Sequence, residues 1–176
     1  KRHLRKFLDT TKAQLFFANG VLLVEGIAEA IIIPILAKKF LSEKIDLCKS
    51  GIELVNIGGV AFNHFGLLFN NDDERKRLLS RCAIITDSDP KEDGDISDRA
   101  QNAKDLEKHN LKVCLAPHTL EYDLFEQSEQ NKTIMRDVYR KLHPRTEILK
   151  SEFDAQTLMQ YLEQNKDKAE FALQLY

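Results

Sequence analysis

The stretch VLLVEGIAEA, Val21 to Ala30, changes periodicity in mid-run and places two carboxylates at the change. Val21 to Val24 is uninterrupted and apolar with β-branched members, as expected of a parallel strand covered on both faces, and Gly26 ends it with a residue free to turn. From Ile27 the apolar positions Ile27, Ile31, Ile32 and Ile35 take helical spacing, so a helix follows. That order puts Glu25 at the carboxyl end of the strand and Glu29 in the first turn of the helix, where both face one crevice. An acid near a helix N-terminus is favoured by the backbone dipole alone, which gives Glu29 an ordinary structural reading as well. Glu25 has less of one, because a carboxylate closing a buried strand is costly unless it is paired or bound to a cation.

Around this unit, 176 residues at 43% hydrophobic are enough for one sizeable core, and 31% charged residues with only 7 Gly and 4 Pro argue against a disordered chain. A net charge of -2 supplies no bulk field for nucleic acid, so such a partner has to be met locally or through another region. The cysteines Cys48, Cys82 and Cys114 are odd in number and widely spaced, with no CxxC pair; they suggest a reducing compartment, buried apolar roles and no zinc site. The apolar run is broken by Glu25 and Glu29 and no basic segment precedes a cleavable apolar one, so a cytoplasmic chain without membrane span or signal peptide is expected.

Upstream, the basic opening KRHLRK continues through Leu4, Phe7 and Leu8 as a helical face, solvated by default and nucleic-acid binding as the alternative. Thr11 with Gln14 resembles a capping box for a short helix through Leu15, Phe16 and Ala18, ending at Asn19-Gly20. Downstream, Pro34 is expected to kink the first long helix before Lys38 and Lys39 close it. Ile52 to Ile57 reads as a second strand, and Gly58-Gly59 as either a ligand-lining loop or a tight turn. Ala61 to Phe69 has the composition of a buried helix, and DDERKR, Asp72 to Arg77, that of a solvated face.

Arg81 to Thr86 is the third strand, apolar through Cys82-Ala83-Ile84-Ile85, and it delivers Asp87 and Asp89 at its carboxyl end. Between Asp87 and Asp98 stand Asp87, Asp89, Glu92, Asp93, Asp95 and Asp98 against Lys91, a concentration that repels itself without a cation nearby. An EF-hand loop is disfavoured, since Lys91 and Glu92 occupy the positions that need a ligand and a glycine. Ser97 and Asp98 cap a helix expected from Arg99 to about His109, and Leu111 to Leu115 follows as the fourth strand. TLEYDL then sets Glu121 and Asp123 at the same sheet edge, although an acid pair opening a helix explains them equally well. Ile134, Met135, Val138, Tyr139 and Leu142 mark a helix ended by His143-Pro144, and Leu158, Met159 and Leu162 mark another. KAEFALQL closes the chain as a helix carrying Lys168, while His3, His64, His109, His118 and His143 lack ligand spacing and stay surface or core residues.

Strands followed by helices, with acids at strand ends in the order Glu and then Asp-x-Asp, resemble the Toprim fold of topoisomerases, bacterial primases and certain nucleases, with VEGIAE and TDSD matching its two motifs. More narrowly, FFANGVLLVEGIAEA, Gly58-Gly59, IITDSD, TLEYDL and KAEFA, spanning Leu15 to Ala172, resemble the nuclease domain of the overcoming-lysogenization-defect (OLD) family. The closing lysine motif separates that nuclease branch from primases and topoisomerases, and here Ala169 stands where glycine is common. The resemblance implies an α/β fold, a Toprim-type parallel sheet flanked by helices with a C-terminal helical insertion. It implies one Toprim-type nuclease domain over 1–176, with lead-in helices at 1–18, the α/β core at 19–124, the insertion at 125–167 and the closing helix at 168–176. It further implies a metal-dependent DNA endonuclease, often in phage defence, joined to an N-terminal ABC-type ATPase region; the chain has no Walker A pattern and would be a C-terminal portion. DNA and that ATPase region are the implied partners, with a homo-oligomer left open.

Hydrolysis by two metal ions about 4 Å apart needs several carboxylates to hold both, and the clustered acids suffice. Glu25, Glu29, Asp87, Asp89 and Glu121 are the expected ligands, with Asp123 a weaker one. Glu25, Asp87 and Lys168 carry the catalysis on this reading, Gly58 and Gly59 line the substrate, and two Mg²⁺ or Mn²⁺ ions suit all-oxygen ligands where a zinc-type site is excluded. Three alternatives stand beside it. A haloacid-dehalogenase-like phosphatase would explain Asp87-Ser88-Asp89 but puts Lys91 at a small hydroxyl position and leaves VEG unexplained. A receiver-like signalling domain does not need acids after the first and fourth strands. A non-catalytic Toprim assembly module would keep the fold without needing the acids and Lys168.

Overall fold

The apolar runs pair in the way their composition requires: β1 (Gly20–Val24), β2 (Ile52–Asn56), β3 (Arg81–Asp87) and β4 (Leu111–Ala116) form one parallel sheet in the order β2-β1-β3-β4. The computed structural model describes residues 13–40, 46–58, 62–90, 94–145 and 152–175. KRHLRK, Thr11, Gly59, Ala61, Lys91, Glu92 and Asp93 lie outside the described residues. Strand β1 is central, with Val24 opposite Asn56 of β2 on one side and Ile85 of β3 on the other. A parallel sheet is stable only when both faces are covered. One face carries Leu15, Val21, Leu23, Val55, Phe65, Phe69, Ile84 and Leu111 in a single buried cluster.

The helix α1 (Ile27–Phe40) follows β1 directly, and Pro34 lies inside it without ending it. Its core side is Ala28, Ile32 and Ala37, whereas Ile27 is half exposed; the expected stripe is therefore rotated, because small residues let another helix approach. The expected helix over 61–69 is reduced to α2 (Asn63–Gly66) followed by turns, with Phe62, Phe65 and Phe69 still buried. Leu15 sits in a 3-10 turn (Gln14–Phe17) rather than an α-helix. The helix α3 (Asp98–Lys104) starts at the expected Ser97 cap, whose hydroxyl accepts from the Ala100 N–H, but stops short of His109.

Four more helices form a second layer: α4 (Leu120–Glu126), α5 (Glu129–Leu142), α6 (Ala155–Asn165) and α7 (Lys168–Leu175). They enclose Phe125, Met135, Tyr139, Leu158, Leu162 and Phe171, while Ile134 turns outward at 46% exposure. Ala172 of α7 packs on Ala28 and Ile32 of α1, which fastens this layer to the sheet and brings the start of α7 toward the end of β1. Of the three free cysteines Cys82 alone is buried, and burial pushes its thiol up to about 12; Cys48 lies in a surface turn and Cys114 on the edge strand β4, so both are exposed. Arg77, inside the stretch expected to be solvated, is tucked against the Asn71 carbonyl at 3.3 Å. Among the described residues no helix is long and apolar enough to cross a membrane.

Candidate active site

The chain leaves β1 toward β2 on one side of the sheet and returns to β3 on the other, so the carboxyl ends of β1 and β3 diverge into a crevice. Open parallel sheets bind ligands at such a switch point. A cleft of about 520 Å³ opens there, and Glu25, Glu29, Asp87, Asp89, Glu121 and Lys168 all line it. They arrive on five supports, Asp87 and Asp89 sharing the end of β3. Glu25 directly follows β1, Glu29 rises from the first turn of α1, Asp87 ends β3, Glu121 stands in the first turn of α4 and Lys168 opens α7.

Local geometry explains the placements. Gly26 leaves room for the Glu29 carboxylate, which a side chain on residue 26 would meet at 2.8 Å. Ser88 is buried, donates its hydroxyl to the Pro117 carbonyl, and joins its backbone N–H to Ala116 and its carbonyl to Ser97. So pinned, it holds the next residue, Asp89, at a φ of 42°, a left-handed conformation that costs a non-glycine residue free energy and is common at functional sites. Ser88→Ala is expected to lower the unfolding free energy by about 1 kcal/mol, the worth of one intramolecular hydrogen bond, read as a lower urea midpoint. An unchanged midpoint would mean that the hydroxyl does not hold the turn. Thr119 accepts from the Tyr122 N–H at 3.3 Å to cap α4 and reaches Met159 Sδ at 3.2 Å, tying Glu121 to the helical layer.

The electrostatics are those of crowded acids. Desolvation, followed by repulsion from Glu29, Glu121, Asp89 and Glu25, pushes the Asp87 carboxyl up to about 7. Burial also raises Glu121, which is 3% exposed, although the Lys168 ammonium opposes the rise. Glu25 is raised by burial against the opposing charge of Arg99. Lys168 Nζ stands 3.7 Å from Glu163 of α6, which also lines the cleft. The turn before Lys168 is tight: Lys166 takes a φ of 59° and His143 Nε2 lies 2.8 Å from Asp167 Oδ2.

Two expected members stand apart. Asp123 does not line the cleft; it accepts from His118, whose Nδ1 lies 3.1 Å away, because α4 turns positions 121 and 123 about 200° apart. Gly58 takes a φ of 64° and donates to Asn56 Oδ1 at 2.8 Å, which is the tight-turn reading, and it too is away from the cleft. Sequence reasoning missed Arg99, read only as the start of a helix, and Glu163, which drew no reading of its own; no local pattern marks either.

Oxygen donors form the acidic wall, as hard divalent ions require, and the raised Asp87 reflects its burial and the repulsion among these acids. As arranged, no three Asp, Glu, His or Cys among the described residues are gathered closely enough to hold one ion. Arg99 bridges two of the acids, its Nη2 lying 3.0 Å from Glu25 Oε2 and 2.5 Å from Asp89 Oδ2.

The model of the overcoming lysogenization defect protein-like Toprim domain matches residues 16–89, from the lead-in turn to Asp89. No curated protein matches the chain. Among solved structures, the C-terminal region of the Xanthomonas campestris pv. campestris OLD protein aligns at 26% identity and a TM-score of 0.65, covering 92% of this chain and 84% of that one. The C-terminal region of the Burkholderia pseudomallei OLD protein aligns at 22% identity and a TM-score of 0.70, over 91% and 88% of the two chains, a likeness of fold. Residues 16–89 thus match the overcoming lysogenization defect protein-like Toprim domain, in a chain with the fold of OLD-protein C-terminal regions.

Proposed function

We propose that the chain is a divalent-metal-dependent DNA endonuclease that hydrolyses phosphodiester bonds. The observation that carries this reading is the convergence of five carboxylates, from β1, α1, the end of β3 and α4, with one lysine from α7 in a single cleft. Glu25, Glu29, Asp87, Asp89 and Glu121 would hold Mg²⁺ or Mn²⁺, two ions on this reading, while Asp123 supports His118 instead. Bound there, such ions would supply an activated water and charge stabilisation for the leaving oxygen. Lys168 places an ammonium beside the acids without using their oxygens, where it can stabilise charge gathering on a phosphate. A haloacid-dehalogenase-like phosphatase leaves Glu25, Glu29 and Lys168 without a role.

The domain division belongs to the same proposal: an α/β core over 19–124, a helical insertion over 125–167 and a closing helix from 168, with 1–18 leading in. So do the partners, DNA and an N-terminal ABC-type ATPase region, and a place in phage defence. Supercoiled plasmid incubated with the chain should be nicked or linearised with Mn²⁺ or Mg²⁺ and left intact in EDTA. Cleavage unaffected by EDTA, or none in either metal, would remove the reading.

Binding should also be visible without turnover. A ligand at 100 times its Kd that binds the folded state alone stabilises it by about 2.7 kcal/mol, so millimolar Mn²⁺, Mg²⁺ or Ca²⁺ should raise Tm by several degrees. A Tm indifferent to all three ions would leave the acids without a purpose.

A further inference from the structure

Arg99 enters the cleft from the first turn of α3, 55% exposed along its side chain, and sets a single nitrogen between the Glu25 carboxylate, 14% exposed, and that of Asp89. A cation gains nothing from a helix N-terminus, where the backbone dipole is positive, so the acids and not the helix hold it there. The two carboxylates come from different strand ends, and the nitrogen stands at the point where both can be reached at once. In a cleft whose acids repel one another, the Arg99 charge opposes the rise that burial imposes on Glu25.

We propose that Arg99 is the built-in counter-ion of this cleft: it holds Glu25 and Asp89 while no metal is bound, and a divalent cation gains those carboxylates by displacing it. The inference rests on the metal reading above and adds the competitor that the ion has to meet. A guanidinium is a delocalised single charge, weakly hydrated and suited to bridging two carboxylates, whereas a divalent ion is compact and doubly charged. The ion therefore wins at sufficient concentration, and a long, half-exposed arginine can swing into solvent without breaking the core. Because Glu25 and Asp89 already converge on one nitrogen, release of Arg99 leaves two carboxylate oxygens facing the point that an ion would take.

Competition gives a result opposite to that of a residue that merely supports the site. Arg99→Gln removes the rival charge, so Mn²⁺ binding, followed by the electron paramagnetic resonance of the free ion, should tighten about fivefold, the scale of a partly exposed ion pair. Its Tm in EDTA should fall while the rise in Tm on adding Mn²⁺ grows. Arg99→Lys, which restores a cation, should return the Mn²⁺ affinity toward that of the wild type. If the wild type binds Mn²⁺ and Arg99→Gln binds it equally or more weakly, Arg99 is not a competitor and the inference is overturned. A wild type that binds no Mn²⁺ instead overturns the reading of the cleft as a metal site.

Discussion

Asp87→Asn is expected to abolish cleavage, by about 10³-fold or more, the scale on which one member of a cooperating catalytic set acts, while making the metal-free protein more stable at neutral and alkaline pH. The two effects have one cause. Asp87 closes β3 between Glu29, Glu121, Asp89 and Glu25, and burial with their repulsion pushes its carboxyl from 3.8 up to about 7. The folded state therefore holds a proton between about pH 4 and pH 7 that the unfolded chain releases, so metal-free stability should fall as pH rises through that window and stay low above it. The amide keeps the shape and carries no charge, so in EDTA at pH 8 the variant should melt several degrees above the wild type, and its decline from pH 4 to pH 7 should be shallower. Some decline should persist, because Glu25 and Glu121 are raised as well. Metal-dependent nicking by Asp87→Asn at the wild-type rate would defeat the assignment, and an unchanged metal-free stability profile would show that the acids are not crowded.

Lys168→Met should lose roughly 10²-fold in cleavage rate, the scale for removing one preorganised donor, and keep both metal-induced stabilisation and DNA binding in Ca²⁺. Lys168 is the first residue of α7, where the helix dipole disfavours a cation, and Glu163 and Glu121 offset that cost. Methionine keeps the length and apolar stem without the charge, so stability should change little. The control is Lys166→Met, two residues earlier in the left-handed turn that ends α6; Lys166 does not line the cleft and its loss should leave the rate alone. Equal rates for Lys168→Met and wild type, or loss of metal binding in Lys168→Met, would sink the transition-state role.

Sequence alone determined the parallel-strand units and their acidic ends. A run such as Val21 to Val24, broken by Glu25 and Gly26, is decided by neighbours a few residues apart, and so are the Ser97 cap and the helix opening at Lys168. Periodicity also picked out Glu25, Glu29, Asp87, Asp89 and Glu121, because each follows a strand or opens a helix at a strand's carboxyl end, and parallel strands collect such ends on one edge.

Tertiary structure decided what those residues meet. That β1 is central and the chain reverses beside it comes from pairing across the sheet, which no local spacing encodes, and this makes the edge a cleft. Asp123 and Glu121 look alike in TLEYDL, yet the pitch of α4 turns one toward the cleft and leaves the other with His118. Cys48 and Cys114 are apolar in type but lie in a turn and on an edge strand, and Ile27 yields the core side of α1 to small alanines because α7 packs there. Arg99 reaches the cleft from α3 and Glu163 from α6, and only the packing of α3 on β3 and β4 and of the helical layer on the sheet sets their charges among the acids of β1 and β3.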